Sequence, residues 1–398
     1  MPKSKIMIGL YWHSFKSSNL GVSALTDASM TLIKDAANGT PVEFILFSPD
    51  GRGDFEPPKE FADVRYVKVS TIKHALRIVR SIRSCDLVYD IGAGDSFSDI
   101  YGWKRLGKIA GLKIVSALCQ RHPVLSPQTI GPFSSSAAKI VGKVAIRCCR
   151  SVFARDIPSF DRARALLGKN SDTHLGHASD LAFGLKQLSP WPEDFPEVGQ
   201  GNKHVGINVS GLLYNGGYSG INQFGLSLDY KRLILEIIED LSAREDIQVW
   251  LIPHVFHVTH VTRECDRAVS VELHRGFPNV KFAPIFRNAR EAKTFIGRMD
   301  LVLAARMHAA IAAVSSGVAC LPMSYSVKFQ GLFESINYPY TINLKGNSLD
   351  EAKAQVLAAL DKTDSIAVRA SLARDLALKA LAPYRSHVSE DIARVMRA

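Results

Sequence analysis

Short apolar runs of strand length alternate along this chain with longer stretches whose apolar positions recur at helical spacing. The sharpest case is 301–328, LVLAARMHAAIAAVSSGVACLPMSYSVK. LVLAA predicts a buried strand. RMHAAIAAVSSG, Ala-rich and free of proline, predicts a helix that Gly317 ends, and VACLPMSY predicts the next strand. Such a unit belongs to a parallel sheet. The same alternation opens the chain. KIMIGLYW (5–12) and VEFILFS (42–48) predict strands around a helix that starts at a turn containing Asn19 and Gly21 and runs to about Ala37. RYVKV predicts a weaker strand, and positions 72, 75, 76, 79 and 82 of TIKHALRIVRSIR have helical spacing. CDLVYDIGAGDSFSDIYG predicts strand, Gly-rich loop and helix start, and IVSALCQRHPVLSPQTIGPF repeats that scheme with a Pro-rich exit. A helix over about 136–150, the strand SVFARD and the helix SFDRARALLG complete the first half.

The pattern breaks at 186–203, KQLSPWPEDFPEVGQGNK, with three prolines, two glycines and no period. A second alternating run follows. HVGINVS, IQVWLIPHVF and VKFAP predict strands; LDYKRLILEIIEDLSARE and REAKTFIGRM predict helices. Helices also fill the chain from about Asn347 onward. The expected fold class is α/β, with two Rossmann-like domains facing across a cleft: residues 1–190, residues 204–375, and a C-terminal helix, 376–398, packing back on the first domain. The longest apolar segment, 301–323, is interrupted by Arg306 and His308 and reads as a buried unit, not a membrane span. The N-terminal apolar run is too short for a signal peptide.

Charge and cysteine usage narrow the functional classes. With 49 Lys and Arg against 38 Asp and Glu, the net charge of +11 suggests acidic ligands or an anionic surface. No basic stripe is interleaved with aromatics, which argues against nucleic acid. Six cysteines without CxxC or a regular framework fit reduced thiols in the cytoplasm.

Candidate chemistry gathers at strand ends, where open α/β sheets bind ligands. Arg306 and His308 fall between a strand and the helix start, a corner suited to an acidic small molecule, and Lys328 can reach it. Arg155 ends SVFARD and can hold a carboxylate or phosphate, or pair with Asp156. His254 ends WLIPH; with His257 and His260 it has no metal-binding spacing, and no metal is expected. In GAGDSFSD (92–99), neither a Walker loop nor GxGxxG, Asp95 and Asp99 suit sugar hydroxyls or a helix start. Gln128 of PQTIGPF points into a cleft or belongs to a rigid turn.

Taken together, GAGDSFSD, PQTIGPF, the ARD strand end with Ser159, SDLAF (179–183), GINVSGLLY (206–214), WLIPHVF and RMHAAIAAVSSGVACLPMSYSVKF resemble the polysaccharide pyruvyl transferase family, in the family's order over about 8–335. Two departures stand out. Where the family's loop commonly begins with three glycines, the middle one here is Ala93, and where it often has N-x-G-D this chain has Asn19, Leu20, Gly21 and Val22. The resemblance implies the architecture of two-domain GT-B glycosyltransferases. It implies transfer of an enolpyruvyl unit from phosphoenolpyruvate, as co-substrate without other cofactor, to a sugar hydroxyl pair of a cell-surface polysaccharide or its precursor, closing a cyclic pyruvate ketal. In that chemistry His308 and Arg306 are the expected catalytic residues. Arg155, Arg306, Lys328 and His254 hold the donor in the second domain's side of the cleft, and Asp95, Asp99 and Gln128 face the acceptor. A lipid-linked acceptor would place the enzyme at the inner face of the membrane. Two other classes stay open: a nucleotide-sugar glycosyltransferase, which calls on a carboxylate such as Glu334, and a non-catalytic glycan- or nucleic-acid-binding protein.

Overall fold

The computed structural model describes residues 4–49, 55–69, 74–169, 171–199, 201–256 and 262–397. His257, His260 and Ile72 lie outside these. Strands β1 (Ile6–Tyr11), β2 (Val42–Ser48), β3 (Arg65–Lys68), β4 (Leu87–Asp90), β5 (Val124–Gln128), β6 (Ser151–Ala154) and β7 (His174–His177) form one parallel sheet in the order β3-β2-β1-β4-β5-β6-β7. A second sheet contains β8 (Lys203–Asn208), β9 (Ile247–Leu251), β10 (Lys281–Phe282), β11 (Leu301–Ala304), β12 (Ala319–Ser324) and β13 (Ile342–Asn343), in the order β10-β9-β8-β11-β12-β13. Both are covered on two faces, so their central strands are apolar almost throughout; every residue of β5, β11 and β12 is buried. Each order reverses beside its first strand, between β1 and β4 and between β8 and β11, and the loops leaving those strands diverge to open a crevice.

Helices α1 (Leu20–Ala37), α2 (Ala75–Ser84), α3 (Trp103–Leu118), α4 (Ser136–Arg147) and α5 (Ile157–Leu167) serve the first sheet. The second carries α6 (Gly211–Tyr214), α7 (Tyr230–Ser242), α8 (Asp266–Gly276), α9 (Ala289–Ile296), α10 (Met307–Ser315), α11 (Val327–Ser335), α12 (Leu349–Leu360) and α13 (Thr363–Ala380). Two sequence expectations need correction. The apolar run 114–118 ends α3 instead of starting a strand; the strand is β5, and its pairing with β6 skips between Leu125 and Gln128, which accommodates Pro127 and its missing N–H. β7 and α8 had no counterpart in the sequence reading, because HLGH has no fully buried residue and the buried face of α8 is half polar, Asp266 and Ser270 beside Val269 and Leu273.

The final helix, α14 (Ala382–Arg397), leaves the second domain and lies on α1 and β7 of the first. Residues 376–380 of the segment expected to cross instead complete α13. Tyr384 fixes α14 through its hydroxyl to Ser126 Oγ (2.8 Å) and an edge-on contact with Phe153 (5.0 Å). Arg150 grips Asp391 with both Nη atoms.

Between the domains, α1 is the shared wall. It packs on α9, α10 and α14, and Arg290 of α9 forks onto Asp27 at 2.6 and 2.7 Å while also reaching Glu60 at 2.6 Å. Burial pushes the Asp27 carboxyl up despite this partner. Removing the guanidinium therefore strands a buried carboxylate. Arg290→Ala is expected to lower the unfolding free energy by about 3 kcal/mol in urea titrations, and Arg290→Ala with Asp27→Asn to recover most of it.

Candidate active site

In the second domain, β8 and β11 end side by side. Asn208, the last residue of β8, accepts from the Arg306 backbone N–H (2.8 Å) and donates to Ile252 O (2.9 Å), which fixes the exit of β11 against that of β9. Arg306 is the N-cap residue of α10, and no side chain caps that helix; none caps α11 either. α2, α3, α8 and α13 lack side-chain caps as well, whereas α1, α4, α5, α7, α9 and α12 have them. Uncapped N–H groups at strand exits favour anions.

The Arg306 guanidinium enters this corner already paired. Its Nε and Nη2 hold the buried Asp266 carboxylate, the closest contact at 2.7 Å, and Nη2 also donates to Glu264 O (2.8 Å). Asp266 in turn accepts from the backbone N–H groups of His254, Val255 and Gly211. One aspartate thus ties the loop after β9, the loop after β8 and the start of α10 into a single unit, and among the described residues Arg306 Nη1 has no partner.

In the first domain, the Gly-rich loop follows β4. Gly92, Ala93 and Gly94 all adopt left-handed backbone, at φ of 52°, 51° and 86°. Ala93 therefore takes the conformation of the glycine it replaces, at a cost an L-residue normally avoids. The loop rests on Asp90, whose Oδ1 accepts from Gly92 N (2.6 Å) and whose Oδ2 pairs with Lys113 (2.8 Å), both side chains fully buried. Gln128 lies underneath, donating to Asp90 O (2.6 Å) with no exposed surface, so the structure makes it a brace for the loop and not a cleft-facing acceptor contact. Asp99 also turns away from the acceptor role: its Oδ2 accepts from the Ser134 N–H (2.8 Å) and hydroxyl (2.5 Å). Asp95 does face the cleft, where it takes Tyr101 OH (2.6 Å) and Lys328 Nζ (3.3 Å), the latter from α11 across the crevice. Burial opposes its ionisation, but Lys328, Tyr101 and Arg155 outweigh that and hold its carboxyl below the usual range.

Arg155 does not pair with its neighbour Asp156, which caps α5 through Ser159 N. Its Nη1 bridges to Asp180 (2.7 Å) and its Nε to Thr129 Oγ1 (3.0 Å). Asp180, absent from the sequence-based site, also stands 3.9 Å from His308 Nε2; its place within SDLAF was the only signal for it.

His308 is where the two domains meet. An alanine methyl at Gly21, in the first turn of α1, would sit 2.3 Å from its Nδ1, so the imidazole seats only because that position has no side chain. His254 is buried nearby, and its backbone carbonyl accepts from Leu20 N (3.2 Å). Neither ring nitrogen of His254, nor Nε2 of His308, has a hydrogen-bond partner among the described residues. Burial lowers the His308 pKa, with Asp180 opposing. Burial, helped by His308 and Arg306, drives His254 down to about 3. Both rings are neutral at pH 7. Burial also lowers Lys328, against the pull of Asp95. Beyond Lys328, a groove of about 370 Å³ opens between Ile157 and Pro158 of α5 and the α11 residues Gln330, Gly331, Glu334 and Ser335. Glu334 is exposed there and accepts from Gln330. Among the described residues, no group of three or more His, Cys, Asp or Glu is arranged around a metal position.

The polysaccharide pyruvyl transferase family model matches residues 19–327. The chain belongs to that family. As a pyruvyl transferase it carries the family match across both halves of the cleft, from Asn19 at the α1 cap to Val327 at the start of α11. The fold is GT-B-like. It is similar to a protein assigned as a UDP-N-acetylglucosamine 2-epimerase from Listeria monocytogenes (12% identity, 97% of each chain covered, TM-score 0.61). It is also similar to the UDP-GlcNAc 2-epimerase from Methanocaldococcus jannaschii (10% identity, 90% of this chain and 92% of that one, TM-score 0.56). Anabaena HepE, solved in complex with UDP-glucose, aligns over 98% and 99% of the two chains (13% identity, TM-score 0.54). No curated protein matches the chain significantly. Among the described residues, no helix is long and apolar enough to cross a membrane.

Two outcomes follow for this pyruvyl transferase. A methyl at Gly92 would lie 2.1 Å from Gln128 Oε1 in left-handed backbone, so Gly92→Ala should cost about 2 kcal/mol, while Ala93→Gly should gain about 0.5 kcal/mol, both read from urea midpoints. The depressed His254 pKa makes a signed pH effect. Below about pH 6.5 the unfolded chain takes up a proton that the folded one refuses, so stability is present above that pH and lost as it falls. Between pH 6.5 and 5 the wild type should lose about 2 kcal/mol more than His254→Asn.

Proposed function

We propose that this pyruvyl transferase takes the enolpyruvyl unit of phosphoenolpyruvate to a sugar hydroxyl pair of a cell-surface polysaccharide or its precursor and closes a cyclic pyruvate ketal, with no further cofactor. One arrangement carries the reading: two buried, neutral imidazoles with unpartnered ring nitrogens, set among Arg155, Arg306 and Lys328 at the uncapped starts of α10 and α11. Phosphoenolpyruvate presents a phosphate and a carboxylate a few atoms apart, and fixed cations with converging N–H groups match both.

The charge states suit the sequence of proton transfers. Burial keeps His308 neutral before the donor binds, and the donor's negative charge raises its pKa so that the ring takes up a proton on binding. That proton passes to the methylene carbon, converting it to methyl and leaving an electrophilic centre at the carbon bearing the phosphate. One sugar hydroxyl adds to that centre and a second displaces the phosphate. The two hydroxyl protons balance the one gained by carbon and the one carried off by hydrogen phosphate. Lys328 and Arg155 stabilise the departing phosphate. The groove between α5 and α11 receives the acceptor, and Asp95, paired with Lys328 of α11, accepts from a sugar hydroxyl.

Incubation with phosphoenolpyruvate and a panel of glycosides should release phosphate in step with a mass gain matching the ketal. His308→Ala should lower turnover by about 10²–10⁴-fold. Gly21→Ala should do the same without removing any titrating group, by displacing the imidazole. Wild-type turnover in a folded His308→Ala protein, or phosphate release with no modified sugar, overturns the reading.

A further inference from the structure

The protein's positive charge is not spread evenly. Helices α2, α3 and α4 each carry three exposed Lys or Arg residues and contain no Asp or Glu at all. They lie side by side, α3 packed against both α2 and α4, on the face of the first sheet opposite α1 and α14. The acids of the intervening loop are fewer than these nine cations and partly engaged elsewhere: Asp90 is buried against Lys113, Asp95 pairs with Lys328 in the cleft and Asp86 accepts from the Met7 N–H, while Asp99 keeps its charge beside Ser134. The contrast with the second domain is plain, since α7 alone holds Glu236, Glu239 and Asp240.

The same face exposes large apolar side chains. Leu76 is 75% exposed on α2, Trp103 53% on α3 and Ile140 63% on α4. In a parallel sheet each helix starts where the preceding strand ends, so these positions in the early turns of their helices lie toward the cleft side of the face. Trp103 follows Tyr101, whose hydroxyl bonds Asp95 in the cleft. The basic and apolar face therefore adjoins the rim of the active site.

We propose that α2, α3 and α4 form a docking face for an anionic lipid bilayer. Cations that form no ion pair among the described residues attract the negative headgroups, and protruding Leu, Trp and Ile side chains enter the acyl boundary. A nucleic acid would use the cations but gives Leu76 and Ile140 no apolar surroundings. Docked this way, the cleft rim lies next to the headgroups, where a lipid-linked acceptor would be presented. That last step rests on the function proposed above; the docking itself does not.

Vesicle co-sedimentation tests it. The wild-type chain should bind vesicles in which roughly a third of the lipid is phosphatidylglycerol, bind pure phosphatidylcholine vesicles weakly, and be released by salt. Arg77→Glu, Arg80→Glu and Lys143→Glu combined should weaken binding by about tenfold or more. That variant should keep its circular dichroism spectrum and its turnover of phosphoenolpyruvate with a soluble glycoside. Leu76→Ser with Ile140→Ser should still bind at low salt but detach at lower salt than the wild type. The proposal is overturned if neutral and anionic vesicles bind alike, if neither binds, if the charge-reversed chain binds as the wild type does, or if duplex DNA binds while vesicles do not. Because binding is read without turnover, loss of the catalytic reading leaves this outcome intact.

Discussion

Everything at the cleft depends on how closely the first turn of α1 approaches the first turn of α10. Gly21 has no side chain, and the His308 imidazole occupies the space a methyl would need. That contact brings a side chain of the second domain to within 3.9 Å of Asp180 in the first, and Asp180 holds Arg155. Widening the approach by one carbon would separate the imidazole from the cation beside it. The paired bonds between Leu20 and His254 and between Phe256 and Ser18 hold the two backbones at that spacing.

Three buried ion pairs fix the loops from below: Lys113 with Asp90, Arg155 with Asp180, and Arg306 with Asp266. Such pairs contribute little net stability, since desolvation of both ions offsets much of their attraction. Their value here is positional. Each aspartate also accepts from backbone N–H groups, Gly92 for Asp90, Ala182 for Asp180, and three separate loop residues for Asp266. A carboxylate that joins a cation to loop backbone makes irregular chain as well defined as a strand.

The alternating pattern made the two sheets legible, because buried parallel strands must be apolar on both faces and glycines such as Gly317, at φ of 74°, must follow helices. The positions of Arg306, His308 and Arg155 at strand exits, with Lys328 beyond the next strand, were legible for the same reason. What the linear sequence hides is partnership. Arg155 bonds a carboxylate 25 positions away and Arg306 one 40 positions back, so neither the self-contained pair with Asp156 nor a free Arg306 matches the fold. Gln128 and Asp99 sit in loops that look cleft-facing in sequence, yet the left-handed turn at 92–94 and the Ser134 N–H claim them. Pro127 within β5 was a misleading signal, tolerated by a skipped pairing.

The crossing of α14 back onto the first domain has a mechanical consequence. The chain passes between the domains twice, through 186–202 and again between α13 and α14, so the lobes are joined like a door on two hinges instead of a ball on one tether. A relative movement of the lobes must then bend the chain at both crossings together.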